Sequence, residues 1–181
     1  MTDPSEIIDE DLVDIIDAVG RQDRDGAISL AAAAFERGVD HPLVLMLAAE
    51  GLDANGRGRE ALDLLRRVTS EEPGEAEGWR RLGATLAGQG DLTEARRAFE
   101  QALSIDPEVH WTLLAAGSAS FQLGDLDAAE GYYLRAADLA PEQAEPRAAL
   151  AMIAARRIEP KPPETRTWGY GFKITQTGRP N

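Results

Sequence analysis

The chain has 181 residues, enough for one ordinary domain, with 43% hydrophobic but only 6% aromatic residues. Its formal net charge of −13 disfavours nucleic acid and anionic membrane surfaces, whose phosphates it would repel. The lack of cysteine excludes disulfides, thiol nucleophiles and Cys-ligated metals, and no apolar run reaches membrane-spanning length.

Residues 1–17 hold seven acids and no base. Neither a secretory signal nor a mitochondrial presequence is expected there, so the expected location is cytoplasmic. Arg outnumbers Lys by 17 to 2, which suggests a GC-rich, bacterial genome. Asp3 as cap, Pro4 at the first helical position and Glu6 closing a capping box predict a helix start.

From there the chain reads as helix pairs at a fixed step. Ala27, Ala61, Ala95 and Ala129 are each 34 residues apart, as are Gly56, Gly90 and Gly124, and Pro73, Pro107 and Pro141. Ala34, Val68, Ala102 and Ala136 form a mostly small series, and Leu65, Phe99 and Tyr133 a bulky one. The glycines fall in short polar stretches where a chain reverses between helices. The alanines suit close helix approach, and each proline stops a second helix. The pairs are placed at about 8–41, 42–75, 76–109 and 110–143. In the first pair, strict spacing puts Asp11 and Asp14 in buried slots. Sliding the helix by one residue buries Leu12, Ile15, Ile16 and Val19 instead, which predicts a one-residue deletion in the loop of residues 20–26.

A last helix is expected over 144–158, completing a 1–158 domain, and it runs into Glu159-Pro160. Pro160-Lys161-Pro162-Pro163 reads as an extended linker. Trp168, Tyr170, Phe172 and Ile174 then alternate with Gly169, Gly171 and Lys173, a strand pattern. The 159–181 tail has three readings: a flexible segment, the opening of a further domain, or a segment that docks in cis or on a neighbour.

No catalytic motif stands out. Gly56-Arg57-Gly58-Arg59-Glu60-Ala61 spells a dinucleotide-binding turn but lies between two helices, where no strand precedes it. Asp23-Arg24-Asp25-Gly26 lacks the downstream ligands of a calcium loop. His41 and His110 have no helically spaced partner for a metal. The chain is therefore expected not to be an enzyme and to need no cofactor.

Trp79-x-x-Leu82-Gly83-x-x-Leu86, followed by Ala95-x-x-x-Phe99, Ala102 and Pro107, resembles the tetratricopeptide-repeat (TPR) family, with Leu86 where Tyr is usual. The resemblance covers roughly residues 6–158. It implies an all-α, right-handed solenoid of four helix hairpins and a capping helix, with a concave groove lined by the first helix of each pair. The groove candidates are Met46, Glu50, Asp53 and Arg80, with Glu10, Asp17, Leu43 and Glu77. Trp111, Leu114, Ser118, Phe121 and Met152 continue the set. Trp111 and Phe121 either form an aromatic anchor in the groove or pack against the capping helix near Met152. The Lys/Asn set with which some family members clamp a peptide carboxylate is absent from Val13, Met46, Arg80, Leu114, Asp17, Glu50, Ala84 and Ser118.

The resemblance thus implies an adaptor or scaffold binding a protein or peptide with basic and apolar residues, and neither nucleic acid nor membrane. Self-association through the tail is a further expectation. Two alternatives are a small secretion-type chaperone shielding apolar client segments, and the recognition module of a larger enzyme.

Overall fold

The computed structural model describes the backbone of residues 4–158, 167–168 and 172–173, and the side chains of residues 10–158. Nine helices follow one another among these residues: α1 Pro4–Gly20, α2 Arg24–Glu36, α3 Pro42–Ala54, α4 Gly58–Glu71, α5 Ala76–Gly88, α6 Leu92–Ile105, α7 His110–Leu123, α8 Leu126–Leu139 and α9 Glu145–Ile158. Each helix packs on the next, and the first helices α3, α5 and α7 also touch one another, so the pairs stack as a solenoid.

The helix starts are written in side chains. Asp23, Asp91 and Asp125 each accept a backbone N–H three residues on, from Gly26 at 3.0 Å, Glu94 at 3.3 Å and Ala128 at 3.2 Å. Each satisfies a donor that the first helical turn leaves free. Arg57 holds the same position before α4 and supplies no such cap. Pro42 opens α3, where His41 Nδ1 accepts from the Leu43 N–H at 3.2 Å. The expected cap of α1 by Asp3, and the Glu6 side chain, lie outside the described residues.

The first pair corrects the sequence reading. The loop between α1 and α2 carries no deletion: the buried Ile15 of α1 stands 34 residues before the buried Ala49 of α3, in the same step that joins the second helices. Gln22, at φ 60°, stands in the left-handed slot that Gly56, Gly90 and Gly124 fill in the later pairs. Ile15 and Ala18 are buried, whereas Ile16 and Val19, expected inside, are 56% and 48% exposed. Leu12 is half-buried. Asp11 is held by Arg37, and Asp14 is exposed. The Asp11 side chain is only 19% exposed but its charge is met by Arg37, and Asp14 reaches solvent, so neither acid buries an unpaired charge.

The core is filled by matched volumes across each pair. Ile15 meets the small Ala31, and Ala49 the larger Leu65, within their clusters. Gly83 lies under the Phe99 ring and Gly117 under that of Tyr133. As the second helix's residue grows, the first helix's shrinks, so the summed side-chain volume at each contact stays similar. The half-buried Trp79 indole donates to the Pro73 carbonyl at 3.0 Å, tying α5 to the turn before it. α9 packs on α8, and its Ile153 is buried with Ala129 and Tyr133.

Beyond α9, β1 Thr167–Trp168 and β2 Phe172–Lys173 pair antiparallel, with Thr167 opposite Lys173 and Trp168 opposite Phe172. The aromatic stretch, expected as one strand, is thus two short antiparallel strands in its described residues. The readings of the Pro160–Pro163 linker, and of the tail as flexible or docked, concern residues outside those described.

Candidate functional site

In a regular helix, residues three and four apart share a face. Met46, Glu50 and Asp53 therefore form one stripe of α3, and Glu77, Arg81 and Ala84 the matching stripe of α5. These stripes line an open cleft of about 540 Å³, to which α7 adds Trp111 and α2 adds Arg24. A smaller cleft of about 350 Å³ shares Arg24, Glu50 and Arg81 and extends toward Val19 and Gln22. Together they run along the first-helix side of the stack.

The floor is a ladder of opposite charges. Arg24 and Arg81 both donate to Glu50, Arg81 Nη1 at 2.6 Å. Arg81 Nε and Arg80 Nε donate to the two oxygens of Glu77, each at 2.8 Å. Arg80 Nη1 lies 3.5 Å from Asp106, and its guanidinium sits over the Trp111 ring at 5.8 Å. The hydrogen bond from Arg24 to Glu50, and then that carboxylate's charge, hold the Arg24 guanidinium above its ordinary pKa. The carboxylates of this stretch are therefore matched: Glu50 and Glu77 each face two guanidiniums. Asp53 has no ion pair among the described residues.

The remaining candidates are spread along the stack. Trp111 is 45% exposed and lines the larger cleft. Met46 is half-buried against the central core. Leu114 bridges that core and the cluster under α9. Ser118 is exposed and accepts from Gln122 Nε2 at 3.3 Å. Met152 is 57% exposed on α9. Phe121 is half-buried with Ala149 and Leu150 of α9, beneath the Arg156 guanidinium at 4.9 Å. Trp111 and Phe121 thus stand in different surroundings.

Sequence reasoning missed Arg24 and Arg81, the rungs that neutralise Glu50, and the exposed pair Ile16 and Val19. The signal for the latter was present: in unbroken 34-residue register Ile16 aligns with Glu50, Ala84, Ser118 and Met152, and Val19 with Asp53 and Phe121. The groove then has an apolar end at Ile16 and Val19, a charge-matched middle, and a second apolar end at Trp111 and Leu114. Such a surface is chemically able to bind a peptide by desolvating apolar side chains while the ladder exchanges partners with a polar backbone.

Residues 44–165 match the family model of the Cilia and flagella-associated protein 70 middle TPR-like domain. The TPR repeat-containing protein PA0015 of Pseudomonas aeruginosa is 34% identical over 68 residues, which is 38% of this chain and 65% of that protein, so the match spans under two thirds of the relative. Among solved structures, MamA superposes with a TM-score of 0.71 at 15% identity, covering 84% of each chain. The first TPR domain of Spaghetti (RPAP3), bound to the HSP90 peptide SRMEEVD, gives 0.61 at 20% identity over 64% of this chain and 92% of that one. The Yersinia enterocolitica type III secretion chaperone SycD, in complex with a peptide of the translocator YopD, gives 0.57 at 18% identity over 62% and 92%.

Proposed function

Because the chain belongs to the tetratricopeptide-repeat family, whose model it matches over residues 44–165, we propose that it is a protein–protein interaction module holding a peptide segment along its first helices. The observation that carries this reading is the pair of adjoining clefts from Val19 to Trp111, which share Arg24, Glu50 and Arg81 and are lined mostly by side chains outside the buried core. Two of the structural neighbours hold peptides, which supports the same use here. The bound segment is extended or helical, with apolar residues at both ends for Ile16/Val19 and Trp111/Leu114. Met46, Glu50, Asp53, Arg80 and Ser118 face its middle, and Phe121 and Met152 lie beyond Trp111 toward α9. It carries polar or basic groups between the apolar ones, because Asp53 is the acid there without an ion pair among the described residues.

The test is quantitative affinity capture with the wild type, Trp111→Ala and Ala84→Trp, the last of which blocks the cleft from an exposed position. Partners lost with both variants, at unchanged melting temperature, are groove ligands. Retention of every partner by both variants refutes the reading. A second reading, shielding of an apolar client in a secretion-type chaperone role, draws on the exposed Val13, Ile16 and Val19. It requires stoichiometric solubilisation of one co-expressed client, lost on Ile16→Glu/Val19→Glu.

A further inference from the structure

α3 has a second open face. Ala48, Gly51, Leu52 and Asn55 lie on the side of the helix opposite Met46, Glu50 and Asp53, and they floor a separate cleft of about 550 Å³. One face of α2 and one face of α4 form its walls. The apolar lining comes from Ile28, Phe35, Leu52 and Leu64, all half-buried, and the rim bears Glu36 and Asp63.

The cleft is open because its floor is small. Thirty-four residues on, Leu82 and Thr85 replace Ala48 and Gly51. The corresponding space between α4 and α6 shrinks to about 240 Å³, with Leu82 in its lining. Ile28 already presses on Gly51, where a Cβ would lie 2.8 Å from the Ile28 methyl, so the floor cannot rise at that point without displacing Ile28. The volume is within the range of ligand pockets and accepts one bulky side chain with its neighbours.

The rim decides what enters. Three carboxylates surround the opening, Glu36, Glu60 and Asp63. Arg57, the guanidinium in the cleft lining, donates to Glu60 through two hydrogen bonds at 2.7 and 2.6 Å. Glu36 has no ion pair among the described residues, and Asp63 reaches Arg66 only at 3.9 Å. We propose that this cleft is a second docking site, on the side of α3 away from the groove, for a partner segment that presents a bulky apolar side chain beside a lysine or arginine. The apolar side chain fills the space between Ile28, Phe35 and Leu64, and the cation lies between Glu36 and Asp63. With the groove on the other face, one short stretch of the stack carries two ligands at once.

The experiment uses the full chain with labelled methyl groups and two capped tetrapeptides, Phe-Leu-Lys-Lys and Phe-Leu-Glu-Glu, at about 0.15 M salt so that long-range attraction is screened. The Lys peptide shifts the methyls of Ile28, Leu52 and Leu64 saturably, and the Glu peptide does not. The exposed double substitution Glu36→Lys/Asp63→Lys weakens the Lys peptide about fivefold or more with the fold intact. Ala32→Phe, which fills the space from α2, removes the shifts. The proposal fails if the two peptides act alike, if charge reversal has no effect, if the shifts centre on Met46 and Leu114, or if no methyl moves.

Discussion

Gly83 has no room for a methyl group: a Cβ there would lie 2.7 Å from two carbons of the Phe99 ring. Gly83→Ala is expected to destabilise the chain by about 1–3 kcal/mol through overpacking, measured by urea denaturation. Phe99→Leu in the same chain recovers part of that loss, because Ala49 and Leu65 already form that combination in the preceding pair. Gln22 carries the opposite kind of cost. It sits at φ 60° where the other turns use glycine, so Gln22→Gly gains about 0.5–1 kcal/mol net of chain entropy. A loss of stability would show that the Gln22 side chain holds the turn. Tyr132 is pushed up to about 12, first by burial and then by the adjacent Glu100 carboxylate, whose oxygen accepts its hydroxyl at 3.1 Å. An acid raised in the folded state stabilises fully below its unfolded value near 10, and that contribution is lost as pH rises toward 12. Tyrosinate absorbance should therefore lag for Tyr132, and Tyr132→Phe should flatten the fall in stability over that window.

The helices differ in how plainly the sequence announces them. α5 and α6 were legible down to single positions, since Trp79, Leu82, Gly83, Phe99 and Ala102 each occupy a slot whose neighbour is present on both sides. The glycine turns and terminal prolines were equally clear. α1 was misread because the usual inference, that a periodic slot is a buried apolar slot, does not hold there. Asp14 keeps the period yet is exposed, and Asp11 keeps it with its charge met by Arg37, so register and apolar burial separate there. This can be measured. Ile15→Ala should cost about 2–5 kcal/mol, whereas Ile16→Ala should stay within about 0.5 kcal/mol. Equal losses would restore the slid register. The candidate groove was legible as a set of positions but not as a charge distribution. Whether Glu50 is free or held by Arg24 and Arg81 depends on rotamers of long side chains, which periodicity does not encode. Phe121 is similar: its spacing from Trp111 is helical, but α9 supplies Ala149 and Leu150 to cover it.

Across the whole molecule, stability is a sum of pairs and of the contacts between adjacent pairs. Deleting residues 145–181 uncovers Tyr133 and Phe121, so hydrogen exchange should quicken in α7 and α8 and stay unchanged in α3 and α4. The same arrangement divides the surface: stacking uses the buried slots and leaves the first-helix stripe, the proposed docking surface, outside the core. That division is the central claim, and site-specific photo-crosslinking tests it most directly. A photoreactive residue at Ala84, exposed in the cleft, is compared with one at Ser104, exposed on α6. The account predicts covalent adducts with a partner polypeptide from Ala84 and none from Ser104. Adducts from Ser104 alone would contradict it.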